Sequence, residues 1–365
     1  MRASVILVLA IGCARIVEEP RTQSAETALP DAALGSVDTA APMDCAATDV
    51  DIDGSLVETS TSTDADTSLD AAPLDAADST PSAELIATMS MPRAIAVRGD
   101  EVFVTSIGSA PAIYRLPKGG GALTKIEGGT RPTYVSVDAT HVYWSDISNG
   151  SEPRTGAIRR APLLGGVTET LARDLQQPNS VALTAGEVYF AQGIMGPEVQ
   201  VLLMAKTGGT PKTIASPGYW SAYVAVNSTK VCWVRKVVSD PAIQCAPLGG
   251  GAAVTIASEN ASALSIDEAD AFFLADGSIK RVSLAGGAVT TIAAGLKCGS
   301  AIVLDGTYAY ETCISGVIRV PKAGGIATTL STALKDDFGW AGIAVDATHV
   351  YWTSPADDAV RRIAK

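Results

Sequence analysis

Chemistry needs side chains that exchange protons, attack or ligate, and this sequence offers few of them. Its two histidines, His141 and His349, sit in one octapeptide, VDATHVYW, written at 137–144 and again at 345–352. A catalytic histidine gains nothing from being copied to a distant second place, so a structural role at a repeated turn is expected for both. Four aspartates at equivalent turn positions, Asp138, Asp267, Asp305 and Asp346, are a second candidate set, since carboxylates gathered around an axis hold divalent metals. Turn capping by an Asp side chain explains their repetition without a metal, and no metal or other cofactor is expected. DVDIDG at 49–54 opens like a calcium loop. Its twelfth position is Ser60 where Glu belongs, no amphipathic helix flanks it, and Asp is frequent around it, so composition explains it. Gly-x-Ser-x-Gly, His-Glu-x-x-His and Gly-Lys-Ser/Thr patterns do not occur; no catalytic residue is assigned and the chain is read as a non-enzyme.

The elements that carry these residues repeat. Strands of the VYW type centre on Phe103, Tyr143, Tyr189, Cys232, Phe272, Tyr310 and Tyr351, spaced by 40, 46, 43, 40, 38 and 41 residues. About forty residues is one four-stranded propeller blade. PTYVSVDATHVYWSD supplies two β-branched and aromatic strands around an Asp-Ala-Thr turn, GAIRRAPL a third, and TETLARDL a fourth after a Gly-Gly turn. The seventh unit ends at Lys365 with three strands written. ELIATM at 84–89 precedes PRAIAV as TETLARDL precedes the next unit, so it is expected to complete the last blade and close the ring. The fold is read as all-β, a seven-bladed β-propeller over 84–365, with six blades as the alternative.

What precedes the repeats differs in kind. Met1–Cys13 has one Arg and an apolar run of about nine residues, too short to span a bilayer, and reads as an export signal. Residues 14–83 hold 15 acidic residues against Arg15 and Arg21, no aromatic residue, and much Ala, Asp, Thr, Ser and Pro, the composition of a disordered tether. Residues 84–365 carry 24 acidic and 24 basic residues, so the net charge of −12 belongs to the tether, and no basic footprint for nucleic acid exists.

AIGC at 10–13 resembles the lipobox of bacterial lipoproteins, which implies lipidation at Cys13, an exported protein on the outer membrane or cell surface, and a membrane reached through its lipid alone. YWSD at 143–146 and YWTS at 351–354, after P-x-x-V-x-V-D, resemble YWTD and NHL propeller repeats over 92–365. The whole layout looks like that of bacterial surface lipoproteins carrying such repeats. The resemblance implies a monomeric binding module whose ligand is an unidentified protein, peptide or glycan. The alternative is a propeller lactonase, hydrolase or lyase, with the four aspartates around a channel metal.

Loops between blades all emerge on one face, where SPGYWSAY and LKDDFGW place large aromatics near the starts of inner strands. Tyr134, Tyr219, Trp220, Tyr223, Phe338 and Trp340 are therefore the ligand-binding candidates, against the reading that they plug the channel mouth. The remaining chemistry is that of cysteine. The Asp276-Gly277 hairpin sets Phe272 opposite Arg281, and the blade before it carries Cys232 and Cys245 at those two places, so a disulfide is expected. Blade-two register sets Cys313 opposite Ser300, with Cys298 one diagonal step away, for a second bridge that needs a bend. Cys45 has no partner in the tether.

Overall fold

The structure, a computed structural model, describes residues 82–129, 131–147, 156–193, 199–217, 223–314, 316–334 and 339–365. Cys13, Cys45, the 49–54 stretch, Tyr219, Trp220 and Phe338 lie outside them. The described strands form seven four-stranded antiparallel sheets. Blade two is typical: β6 (Pro132–Val137), β7 (His141–Asp146), β8 (Gly156–Pro162) and β9 (Glu169–Leu175) pair in chain order. Glycines make the turn between third and fourth strands. Gly165 and Gly166 have φ of 86° and 142°, a region closed to side chains with a Cβ, and the Gly165 amide donates to the Pro162 carbonyl.

The innermost strands neighbour one another in a closed cycle: β2 (Pro92–Arg98), β6, β10 (Asn179–Leu183), β14 (Val224–Val226), β18 (Ala263–Ile266), β22 (Cys298–Leu304), β26 (Ile343–Val345) and β2 again. Seven complete sheets overrule the six-bladed alternative. Closure comes from the far end of the chain. β1 (Glu84–Thr88) pairs with β28 (Ala359–Ala364) and makes the fourth strand of the sheet holding β26 and β27 (His349–Ser354). Arg362 grips Glu84 with two nitrogens, at 2.8 and 2.7 Å, and the Met89 amide donates to the Asp358 carbonyl. Ile86 is buried among Val102, Val104 and Val360, so the strand joins the core as well as the ladder.

Blades bury both faces, and the VYW triplet shows how. Alternation sends neighbouring side chains to opposite faces. Tyr143 packs with Val188 and Phe190 of blade three, while Trp144 packs with Phe103 and Ile113 of blade one. Tyr189 with Trp233 and Tyr310 with Trp352 repeat the arrangement, and Tyr351 meets Val102 and Val104 across the closure.

The repeated DATH turn ties these interfaces at the rim. Asp138 Oδ1 accepts from the Thr140 and His141 amides at 2.8 and 2.9 Å, capping its own turn. Its Oδ2 accepts from the Tyr143 hydroxyl at 3.0 Å and from Lys206 of blade three at 2.8 Å. The same device links Asp267 to Lys322 at 2.7 Å, Asp305 to Lys365 at 2.6 Å and Asp346 to Lys118 at 2.5 Å. Lys206, Lys365 and Lys118 also lie over the Tyr143, Tyr310 and Tyr351 rings. His141 and His349 bond the neighbouring Thr140 and Thr348 hydroxyls through Nδ1. Partial burial works to raise the Asp138 carboxyl, yet the Lys206 ammonium, the turn amides and the Tyr143 hydroxyl together hold it well below the usual carboxylate range. Asp305 and Asp346 are held down in the same way. Burial and the bond to Asp138 push Tyr143 up to about 12.

A carboxylate held below its unfolded value of about 3.9 adds stability that is complete above that pH and lost as pH falls through the folded value. Lys206→Met removes the strongest support of the ionised Asp138. Acid unfolding followed by circular dichroism is expected to begin at higher pH in this variant, with a change of no more than about 1 kcal/mol at pH 7 for so solvent-screened a pair. Superimposable acid transitions would show that the pair adds nothing.

Candidate functional site

Inner strands are irregular where they begin, and that irregularity builds the site. β2 spends three residues from Pro92 to Ile95 against two on β3 (Glu101–Ser106). β6 spends two against one between Pro132 and Tyr134, and β10 does so between Asn179 and Val181. Such bulges leave an amide without its ladder partner and re-aim the neighbouring side chains. Hydroxyls take up two of those amides, Ala94 donating to Thr105 Oγ1 at 2.9 Å and Tyr134 to Ser145 Oγ at 3.3 Å, and in blade seven the Gly342 amide just before β26 donates likewise to Thr353 Oγ1 at 2.7 Å. Thr353 in turn donates to the Arg93 carbonyl at 2.6 Å, joining blades seven and one. Gly342 is obligatory there, because a Cβ would lie 2.4 Å from that carbonyl oxygen.

The result is a cavity of about 270 Å³ on the ring axis, lined from all seven inner strands. Arg93, Tyr134, Ser180, Tyr223 and Trp340 give it its chemistry; Ala94, Ala263 and Ala301 leave room beside them. The Arg93 guanidinium carbon sits 5.0 Å from the Trp340 ring centre, and the residue is only 7% exposed. Burial raises the Tyr134 hydroxyl against the opposing pull of the Arg93 charge. Burial raises Tyr223 too, helped by Tyr134 and opposed by Arg93. The three groups thus act on one another, and both phenols remain protonated donors at neutral pH.

Three of the six aromatic candidates, Tyr134, Tyr223 and Trp340, therefore line one cavity. Arg93 was missed by sequence reasoning. Its signal was a lone cation in PRAIAV, at a place where blade two has Thr133 and blade three Asn179. The four turn aspartates line no part of the cavity; each is engaged by its own turn and a lysine. Among the described residues no three His, Cys, Asp or Glu side chains gather as a metal site.

Cys232 and Cys245 face each other across β15 (Lys230–Arg235) and β16 (Ala242–Pro247) and form a disulfide, with α-carbons 4.1 Å apart. Cys313 on β23 (Tyr308–Cys313) is disulfide-bonded, and its register partner is Cys298 rather than Ser300. The expected diagonal step is corrected by a bulge: β22 spends four residues from Cys298 to Ile302 where β23 spends two.

No protein-family model matches the chain, and a search of curated proteins finds no sequence match. Solved structures do match. The extracellular domain of a proposed one-component system from B. thetaiotaomicron is similar with a TM-score of 0.57 at 9% identity over 78% of this chain, which spans 40% of that one. The computationally designed Ika8 protein gives 0.51 at 11% identity, over 77% of this chain and 99% of its own. A chain of a nidogen/laminin complex gives 0.49 at 17% identity, over 63% of this chain and 92% of its own, too slight a likeness to argue from. At these identities the likeness is one of fold. Fold and site together define a seven-bladed β-propeller whose axial cavity is lined by aromatic rings and one arginine.

One titratable group stands outside this arrangement. Glu311 holds the third place of the triplet, where other blades have Trp144, Trp233, Phe273 or Trp352. It is wholly buried, and neither carboxyl oxygen has a hydrogen-bond partner among the described residues. Its same-face neighbours Ala309 and Cys313 pack with Phe272 of blade five, and it does not line the axial cavity. Burial pushes its carboxyl well above the usual range. A raised folded value gives stability that is complete below the unfolded value of about 4.3 and lost as pH rises through the folded one. Glu311→Gln is therefore expected to gain on the parent protein as pH rises from 5 to 9, at up to about 1.4 kcal/mol per pH unit. Denaturant unfolding across that range checks it, and a constant difference between the two would refute it.

Proposed function

We propose that this chain is an exported, monomeric binding module, anchored to the bacterial cell envelope by a lipid on Cys13, that takes a protein, peptide or glycan ligand at the axial cavity of its loop face. The observation that carries the reading is the convergence of Tyr134, Tyr223 and Trp340 with Arg93 on one cavity. Rings that present flat apolar faces beside a few polar groups suit recognition of a ligand's end or ring. The Cys232–Cys245 disulfide suits an oxidising compartment, which supports export. Among the described residues no helix is long and apolar enough to cross a membrane, and the reading routes attachment through the lipid.

Binding is preferred to catalysis on the ionisable groups of the described lining. They are Arg93, a permanent cation, and two phenols pushed up by burial, so none is poised as a general base at neutral pH. The balanced charge of 84–365 gives no attraction to nucleic acid.

Screened against glycan and peptide arrays, the full-length protein is expected to retain a set of ligands that Trp340→Ala loses, while the variant's melting temperature stays within a few degrees of the parent. Equal retention by both would overturn the site. Cys13→Ser is expected to move the protein from the detergent-extracted to the soluble fraction of cells without changing its fold; unchanged fractionation would overturn the anchor.

A further inference from the structure

Two hydroxyls in the axial cavity are left unused by the fold. Tyr134, on β6 of blade two, and Tyr223, just before β14 of blade four, both line the cavity, and neither phenolic oxygen has a hydrogen-bond partner among the described residues. The Tyr134 hydroxyl helps to raise that of Tyr223, so the two lie within electrostatic reach of each other. The other side-chain groups around them are engaged. Thr133 Oγ1 lies 3.0 Å from Ser145 Oγ, and Ser180 Oγ accepts from the Val224 amide at 2.9 Å. Arg93 holds its guanidinium carbon 5.0 Å from the Trp340 ring centre, which steadies that ring. A protonated phenol donates one hydrogen bond and accepts others, and a ligand that displaces water from it must do both in return. The two unused groups are neutral, so they ask for a ligand that brings no charge into the cavity, where an ion would need an opposite charge to meet it. Trp340, from blade seven, comes to the cavity from another side of the ring and adds a flat apolar surface. A volume of about 270 Å³ sits at the lower end of small-molecule sites, enough for one ring and its substituents. The ligand that meets these terms is a single ring with an apolar face and hydroxyls around its edge. A pyranose has both, since its C–H bonds make one face apolar and its hydroxyls donate and accept.

We propose that the axial cavity binds one uncharged pyranose ring, its hydroxyls bonded to the Tyr134 and Tyr223 phenols and its C–H face against Trp340. This rests on the binding reading above and narrows its ligand to a sugar. The ring comes from a free monosaccharide or from the end of a glycan, and the test separates the two sources.

The full-length protein is titrated calorimetrically with D-glucose, D-galactose, D-mannose and N-acetyl-D-glucosamine, each beside its methyl glycoside. Cyclohexanol, a six-membered ring with one hydroxyl, and the uronic acids of glucose and galactose serve as comparison probes. At least one neutral sugar is expected to bind with a dissociation constant of about 1 mM or tighter, and every comparison probe roughly tenfold or more weakly. A free sugar bound in preference to its methyl glycoside marks a monosaccharide site; a glycoside bound as well or better marks the non-reducing end of a glycan. Tyr134→Phe and Tyr223→Phe keep the rings and remove the hydroxyls, and each is expected to weaken the bound sugar about three- to tenfold, as the loss of one neutral hydrogen bond requires, with the melting temperature unchanged. If either variant fails to fold, the sugars and comparison probes on the unaltered protein decide alone. No binding by any of the neutral sugars, equal binding of cyclohexanol or of a uronic acid, or unchanged sugar affinity in both folded variants overturns the proposal. The array experiment with Trp340→Ala stands apart: array peptides lost by that variant, with no sugar bound, would remove the sugar and keep the binding module.

Discussion

Between consecutive blades, the second residue of one triplet meets the third residue of the next: Phe103 with Trp144, Tyr189 with Trp233, Tyr310 with Trp352. Everything else in the ring depends on these contacts. Burying one large side chain contributes about 1.5–3 kcal/mol, whereas an exposed ion pair adds about 0.2–1 kcal/mol. The Asp–Lys pairs at the rim are half-buried and few beside these contacts; they cap their first turns and tie each to a fixed place on the next blade. A blade alone would leave one aromatic on each face in water, so the sheets are stable as a stack. The stack has no free end only because β1, from the start of the domain, completes the last blade.

Stacking around an axis crowds the inner strands, and the consequences are visible at the closure. Gly342 lies where a Cβ would strike the Arg93 carbonyl, and Thr353 bridges the two blades through that same oxygen. Bulges at the starts of β2, β6 and β10 relieve the crowding and turn the side chains next to them toward the axis. A site assembled this way draws one or two groups from each of several blades. Arg93, Tyr134 and Ser180 stand on paired strands, whereas Tyr223 and Trp340 enter from the segments just before β14 and β26.

Glu311 and the cysteines show what the interfaces tolerate. Cys232 and Cys245 replace the Phe272 and Arg281 of the adjacent blade, giving up a large side chain and a half-buried cation for a covalent link between the equivalent two strands. Glu311 replaces an aromatic with a buried carboxyl that no described group satisfies and that burial pushes well above the usual range. Desolvation of an unpartnered polar group is costly, and six well-filled interfaces can carry one such defect.

The sequence by itself determined the period, the strands, the turns, the closing strand and the Cys232–Cys245 pair. These are local or periodic properties: alternation, turn chemistry and a forty-residue repeat are written in contiguous residues such as VDATHVYW. It also marked Tyr134, Tyr223 and Trp340 as unusual aromatics near the loop face. It did not bring Arg93 to them, nor set Cys298 opposite Cys313, because a bulge of one or two residues shifts register without any change in hydrophobic pattern. Arg93 and Trp340 stand on the first and last blades, almost the whole domain apart in the chain, and only closure of the ring lays the guanidinium over the indole. The tertiary structure decided that contact because it depends on how seven interfaces add up around an axis, which no single segment records.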